Sequence, residues 1–239
     1  MGSKTRIAKY ILPIMLKDKK EDQWWVEPFV GGANMIDKVE GKRIGSDSNK
    51  YVIDALMAIR DCIEYLPKNN SEFTEEDYKS LSLNDDYQYK GYAGFAFSYA
   101  GKWLGGWGRD KEGKRDYVKE AYNNALKQSQ KLQGVELICS SYDKLEIPIN
   151  SIIYCDPPYK DTTKYAANRS KDILKSNFFD HELFWQWCRN KSKEGYTVFV
   201  SEYNAPKDFK CIWQKDICSS LTKETGEKKG TERLFRFID

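Results

Sequence analysis

Histidine is almost missing from this chain: His181 stands alone among 239 residues. The six cysteines, at 62, 139, 155, 188, 211 and 218, form no Cys-x-x-Cys pair. Together these absences argue against a zinc cluster or any other metal centre, and the thiols read as reduced and mostly packed. No apolar run approaches the ~18 residues of a membrane span, and no signal-peptide pattern opens the chain, so a soluble, cytoplasmic protein without a membrane partner is expected. Charge of one sign is lacking too. Lys and Arg number 39 against 36 Asp and Glu, a formal net charge of +3, so global charge announces no nucleic-acid partner. Internal repeats and low-complexity tracts are absent. The length suffices for one large domain, or for one domain carrying an insertion.

The strongest positive signal is Asp156-Pro157-Pro158-Tyr159, which closes the apolar run Ile152-Ile153-Tyr154-Cys155. A short apolar run ended by a carboxylate and two prolines predicts a buried strand emptying into a rigid loop. Each proline fixes its own φ, removes an N–H and restricts the residue before it. The resulting turn offers a carboxylate and carbonyl oxygens as acceptors beside an aromatic ring, which suits a flat molecule carrying an amino group. Upstream, Trp24-Trp25-Val26 predicts a short strand, followed by Glu27-Pro28-Phe29-Val30-Gly31-Gly32-Ala33-Asn34. A strand, a glycine turn and a helix form the first unit of a nucleotide-binding α/β sheet, where a Cβ would obstruct a closely approaching ligand. Lys42-Arg43-Ile44-Gly45-Ser46 then leads to Asp47, placed to accept ribose hydroxyls at the end of a second strand. Asp47 as a cap for the helix starting near Asn49 is the other reading of that residue.

Asp-Pro-Pro-Tyr resembles the catalytic motif of S-adenosylmethionine-dependent amino-methyltransferases. The order Lys4, Glu27-Pro28-Phe29-Val30-Gly31-Gly32, Asp47 and Asp156-Pro157-Pro158-Tyr159 is similar, more narrowly, to the Dam-type (D12 class) DNA adenine-N6 methyltransferases. The likeness extends to Phe199-Val200-Ser201-Glu202-Tyr203-Asn204 and to Gly230-Thr231-Glu232-Arg233-Leu234, so it covers nearly the whole chain. It implies an α/β, Rossmann-like methyltransferase sheet with an inserted, mainly helical target-recognition domain. It also implies S-adenosylmethionine as methyl donor (with S-adenosylhomocysteine as product), double-stranded DNA as substrate, a cognate restriction nuclease as candidate partner, and a monomer. Carried over by position, Lys4, Glu27, Phe29, Gly31, Asp47, Ser141, Tyr142 and Asp156 would serve the cofactor. Asp156, Pro157 and Tyr159 would be catalytic. Two departures stand out. Ser141-Tyr142 falls where the family often has Asp-Phe, and the family's aromatic residue four positions before the lysine would precede Met1.

Elsewhere the pattern is organisational. Ile7, Tyr10, Ile11 and Ile14 form a helical stripe over 5–16 that Pro13 is expected to break or end early. Val52, Leu56, Ile59 and Ile63 predict a helix over 49–66 stopped by Pro67. Residues 1–53 and 134–239 are assigned to the catalytic domain and 54–133 to the insertion, with a hairpin or loop near 101–113 and a charged helix near 114–133. The segment Tyr99–Arg109 interleaves glycine, Trp103, Trp107 and cations. Lys102, Arg109, Lys111, Lys114 and Arg115 are the candidate DNA contacts, with Arg109 the candidate for reading a base. One of the two tryptophans is expected to be buried. Further strands are expected at 135–139, 152–155, 196–201, 212–217 and 234–238, and a helix over 180–193. The polar loop from Tyr159 to about Phe178, with Lys160, Lys164, Arg169, Lys171 and Lys175, is a candidate to close over a displaced nucleotide.

Chemically, the amino nitrogen of adenine is a poor nucleophile because its lone pair is delocalised into the ring. Acceptors at Asp156 and the Pro157 carbonyl would localise that pair and stabilise the charge growing on nitrogen, while Tyr159 would orient the base. Methylation of cytosine N4, of RNA or of a glutamine side chain, and a catalytically silent DNA-binding module, stand as alternatives. The cytosine enzymes usually carry Ser where this chain has Asp156.

Overall fold

A computed structural model describes residues 4–84, 86–109, 112, 114–159, 179–219 and 228–238. Lys111 and the candidate closing loop, with Lys160, Lys164, Arg169, Lys171 and Lys175, lie outside the described residues. The chain divides into two compact units, one of Met1–Lys9 with Pro28–Leu145 and one of Tyr10–Glu27 with Glu146–Asp239. The strands are β1 (Trp25–Glu27), β2 (Arg43–Asp47), β3 (Val135–Cys139), β4 (Ile152–Cys155), β5 (Thr197–Glu202), β6 (Phe209–Ser219) and β7 (Lys228–Phe237). Their order in the sheet is β3-β2-β1-β4-β5-β7-β6. A mixed α/β fold with a seven-stranded, Rossmann-like sheet is thus what the sequence led one to expect.

In the first unit, β2 pairs in parallel with β3, Asp47 opposite Cys139. Helix α2 (Lys50–Asp61) packs against both strands, burying Val52, Leu56 and Ile59 in a stripe that follows the helical period. Asn49 caps it, its side chain accepting the Tyr51 N–H. The helix stops at Asp61, short of the expected Pro67. The Cys62 N–H closes the last turn on the Ala58 carbonyl, and a short 3-10 turn over Ile63–Tyr65 then carries Leu66 into the core.

The region assigned to the insertion lies wholly within this unit. It contains α3 (Glu75–Ser80), α4 (Lys90–Ala96) and α5 (Tyr117–Leu132). A Thr74–Asp77 capping box starts α3 and Asp116 caps α5. The expected hairpin or loop lies somewhat earlier than 101–113: the Tyr99 and Gly108 N–H groups donate to the Gly106 and Phe97 carbonyls, closing 97–108 as a hairpin. Neither tryptophan is the single buried ring that was expected. Both are half-buried packing residues: Trp103 stacks on Tyr51 at 4.2 Å and lies near Phe95, while Trp107 meets Tyr78 and Phe97. Trp103 leaves no room above α4, since a Cβ at Gly94 would come within 2.4 Å of its ring.

In the second unit, β4 pairs in parallel with β1 and β5, while β7 runs antiparallel between β5 and β6. Every residue of β1 and β4 is buried, as strands covered on both faces require. Ile153, Phe184 and Leu234 are fully enclosed, each worth about 1.5–3 kcal/mol of transfer free energy. Helix α6 (His181–Lys193), capped by Asp180, lies against β5 and β7. Helix α1 (Thr5–Met15), whose residues from Tyr10 onward belong to this unit, runs through Pro13 rather than ending there. Pro13 lies on the exposed face, while Met15 is buried and the Leu16 N–H still reaches the Leu12 carbonyl, so tertiary packing outweighs the one lost hydrogen bond.

Candidate active site

The first unit carries a compact arrangement at the ends of its two strands. The Val30 N–H donates to the Ser46 carbonyl at 2.8 Å, tying the glycine loop to the end of β2. Gly31 then adopts a left-handed conformation, φ +48°, with open space where a Cβ would stand. Its N–H donates to Asp47 Oδ2 at 3.2 Å, and the Asn49 N–H donates to Oδ1 at 2.9 Å. Asp47 thus joins the turn before α2 to the glycine loop, whereas the residue that caps the helix is Asn49. Burial raises the Asp47 pKa, partly offset by these two backbone donors.

Phe29 stacks on Tyr142 with centroids 5.4 Å apart, giving a ring pair beside the same loop. Ser141 is half-buried, and its carbonyl opens a turn by accepting the Lys144 and Leu145 N–H groups at 3.1 Å each. The Lys4 carbonyl begins α1 by accepting from Ile7 and Ala8, and Thr5 Oγ1 donates to Asn34 Oδ1 at 2.9 Å. The segment holding Lys4 is thereby joined to the far end of the glycine loop.

The second unit carries the other candidate residues. Past β4 burial alternates: Asp156 is half-buried, Pro157 buried, Pro158 exposed and Tyr159 only 9% exposed. The Tyr159 hydroxyl donates to Glu232 Oε2 at 2.8 Å, and its ring meets Tyr203 nearly perpendicularly at 4.5 Å. Burial, then the charges of Asp156 and Glu232, push the Tyr159 pKa well above the ordinary tyrosine value, so the phenol stays protonated. Beneath it Tyr154 hydrogen-bonds Ser201 across 2.8 Å and stacks on Trp25. Glu27, 2% exposed, accepts the Trp25 indole N–H at 2.7 Å. Burial raises the Cys155 thiol strongly as well, which fits an unreactive core residue.

Glu232 and Tyr203 both meet Tyr159 here, although the sequence alone assigns neither a role. A signal was present. Glu232 lies two residues from Leu234 in the same strand and so shares its inward face, where a carboxylate is unusual.

The described candidate DNA contacts, Lys102, Arg109, Lys114 and Arg115, are exposed and, where an ion-pair partner is described, attached to acids of the same unit. Arg109 lies 3.5 Å from Glu75, and Lys114 lies 2.6 Å from Glu112. Arg115 forms a two-pronged pair with Glu120 and lies over the Tyr117 ring. Lys102 is exposed. Such surface pairs are worth at most about 1 kcal/mol each, so a phosphate can displace the acid. Among the described residues no cluster of His, Cys, Asp and Glu could hold a metal ion, and no helix is long and apolar enough to cross a membrane.

Two comparisons fit this geometry. The chain is 27% identical over 269 residues to the Type II methyltransferase M.MjaIII of Methanocaldococcus jannaschii, covering 97% of this chain and 92% of that protein. The family model for the D12 class N6 adenine-specific DNA methyltransferases matches residues 1–97 and 107–229, breaking between its two segments at the glycine- and tryptophan-rich hairpin. The match favours adenine over the cytosine, RNA, glutamine and silent-module alternatives. The chain thus belongs to the D12 class N6 adenine-specific DNA methyltransferase family, and its reaction is methylation of adenine N6 in DNA.

Proposed function

We propose that the methyl donor is S-adenosylmethionine, held by the first unit, and that the residues at the end of β4 activate the target amine. The observation that carries the donor assignment is the pair of backbone N–H groups on Asp47. Each carboxylate oxygen has accepted one hydrogen and keeps further acceptor capacity, which suits a vicinal pair of ribose hydroxyls. The open left-handed backbone at Gly31 lets a ligand approach, and the Phe29–Tyr142 pair offers an aromatic surface to an adenine ring. Lys4 and Ser141 complete the donor contacts proposed for the first unit, and Glu27 and Asp156 are those proposed for the second. When bound, this donor supplies an electrophilic methyl group on a sulfonium centre.

Asp156 and the Pro157 carbonyl accept the two hydrogens of the target amine, localising its lone pair, and Asp156 stabilises the positive charge that grows on nitrogen. Tyr159 supports the face of the base and sets its angle. The amine is paired inside a duplex, so the base swings out at a cost of about a few kcal/mol. The region 54–133 acts as the target-recognition domain, with Lys102, Lys111, Lys114 and Arg115 on phosphates and Arg109 on a base edge. The exposed cations of this region support the assignment, each described ion pair being a surface one that a phosphate can displace. By analogy with the Type II relative, a restriction nuclease reading the same site is the proposed partner of a cytoplasmic monomer. Incubation with S-adenosylmethionine and mixed-sequence DNA, followed by mapping of methylated bases, is expected to give N6-methyladenine within one short sequence. Methyl groups on cytosine, or no transfer from this donor, would overturn the reading.

A further inference from the structure

Two prolines stiffen the backbone leading to Tyr159, but they do not fix its ring. The terminal torsion of a tyrosine is broad and two-fold, so only contacts can set its rotation. Two contacts do so here. The phenol donates to Glu232 Oε2 at 2.8 Å, across 73 positions of sequence, and Tyr203 stands nearly perpendicular at 4.5 Å. A phenol O–H prefers to lie in the ring plane, so an acceptor in a fixed direction sets both the position of the hydroxyl and the rotation of the ring. Glu232 is itself held by the strand: neighbouring Arg233 and Leu234 pair with Glu202 and Ser201 of β5. The other buried phenol at this site, Tyr154, has Ser201 as its partner.

We propose that Glu232 is a positioning residue for methyl transfer, acting through its hydrogen bond to Tyr159 to hold the ring at the angle the target base requires. The inference rests on the proposed role of Tyr159 in supporting the base. Burial and the neighbouring charges raise the phenol's pKa, which keeps it the donor in this bond.

The test is the single-turnover rate of adenine methylation at saturating S-adenosylmethionine, measured beside each variant's thermal midpoint. Tyr159→Ala should abolish most of the rate. Tyr159→Phe and Glu232→Ala should each slow transfer on the order of 10- to 100-fold, the scale of a misplaced reacting group. The double variant should be no slower than the slower single one, because both changes remove the same bond. Glu232→Gln retains an acceptor oxygen and should stay within a few-fold of the parent. Should Glu232→Ala fail to fold, Tyr159→Phe, which keeps the carboxylate, carries the test. Full rates for Tyr159→Phe and Glu232→Ala beside a slow Tyr159→Ala would overturn the positioning role while leaving the support role of Tyr159 intact. Multiplicative losses in the double variant, or a lowered midpoint with an unchanged rate, would overturn it as well. A full rate for Tyr159→Ala would remove the reading on which it rests.

Discussion

The two candidate half-sites are built differently. In the first unit, Asp47 is tied to Gly31 and Asn49, 16 and 2 positions away, and both bonds come from backbone N–H groups. In the second unit, Tyr159 is held by the side chains of Glu232 and Tyr203, and Tyr154 by Ser201, over 73 positions in the first bond and 47 in the last. A nucleotide with many polar groups can be held by main-chain donors and one carboxylate in short turns. A weakly nucleophilic amine must instead be held at a fixed angle, which takes buried side chains braced from several strands. On this account the first unit determines how tightly the donor is held, and the second how fast the methyl group moves.

The largest effect belongs to Asp156. Asp156→Ala should lower the rate of methyl transfer on the order of 100- to 1,000-fold, the usual loss of one group that stabilises developing charge. Its circular dichroism spectrum should be unchanged, since the half-buried residue ends a strand rather than filling a core. A spectrum showing lost structure would move Asp156 from chemistry to folding and break the comparison.

Asp47→Ala should weaken donor binding by roughly 1.5–3 kcal/mol, about 10- to 100-fold, measured by calorimetry. Acidity offers a second probe of the same residue. Above its pKa Asp47 is a charged acceptor and below it a protonated acid. Because burial raises that pKa, donor affinity should begin to fall at a pH above the usual aspartate range, and this acid limb should vanish in Asp47→Ala.

Arg109 belongs to neither half and serves as a control. Arg109→Ala should cost about 1–3 kcal/mol of discrimination at one base position while leaving donor affinity unchanged. Lys114→Ala should instead weaken binding to all sequences alike and lower the salt dependence. Methylation-site profiling at two salt concentrations separates these outcomes.

A modest loss of stability is expected at Gly31. An alanine there meets no atom within 4 Å, so its cost is only the left-handed backbone, about 1–2 kcal/mol in urea unfolding. Donor affinity should fall further than stability does, because the new methyl group enters the space assigned to the ligand. Equal affinity for Gly31→Ala and the parent would dissociate the glycine loop from donor binding.

What the sequence disclosed follows from the same contrast. Strands β3 and β4 lie at the expected residues: in β3 buried Val135 and Leu137 alternate with exposed Glu136, and β4 is a short, wholly buried apolar run. The glycine loop after Glu27 was legible, but the helix expected to follow it is only a 3-10 turn over Ile36–Lys38, because the chain returns within a few residues to β2. Helix α1 continues past Pro13 because Met15 has a buried seat, which local propensity does not reveal. β6 and β7 begin earlier than expected, at Phe209 and Lys228, because polar residues such as Lys210 in β6 and Thr231 and Arg233 in β7 dilute the apolar pattern. The partnership of Tyr159 with Glu232 depends on strand register between distant segments, and no local pattern encodes it.

The division of labour between the two units is tested most directly by the single-turnover rate of adenine methylation as a function of S-adenosylmethionine concentration, in Asp47→Ala and Asp156→Ala. The account predicts that Asp47→Ala approaches the parent rate once the donor saturates, whereas Asp156→Ala remains slow at every concentration. A slow plateau for Asp47→Ala together with rescue of Asp156→Ala by excess donor would contradict it.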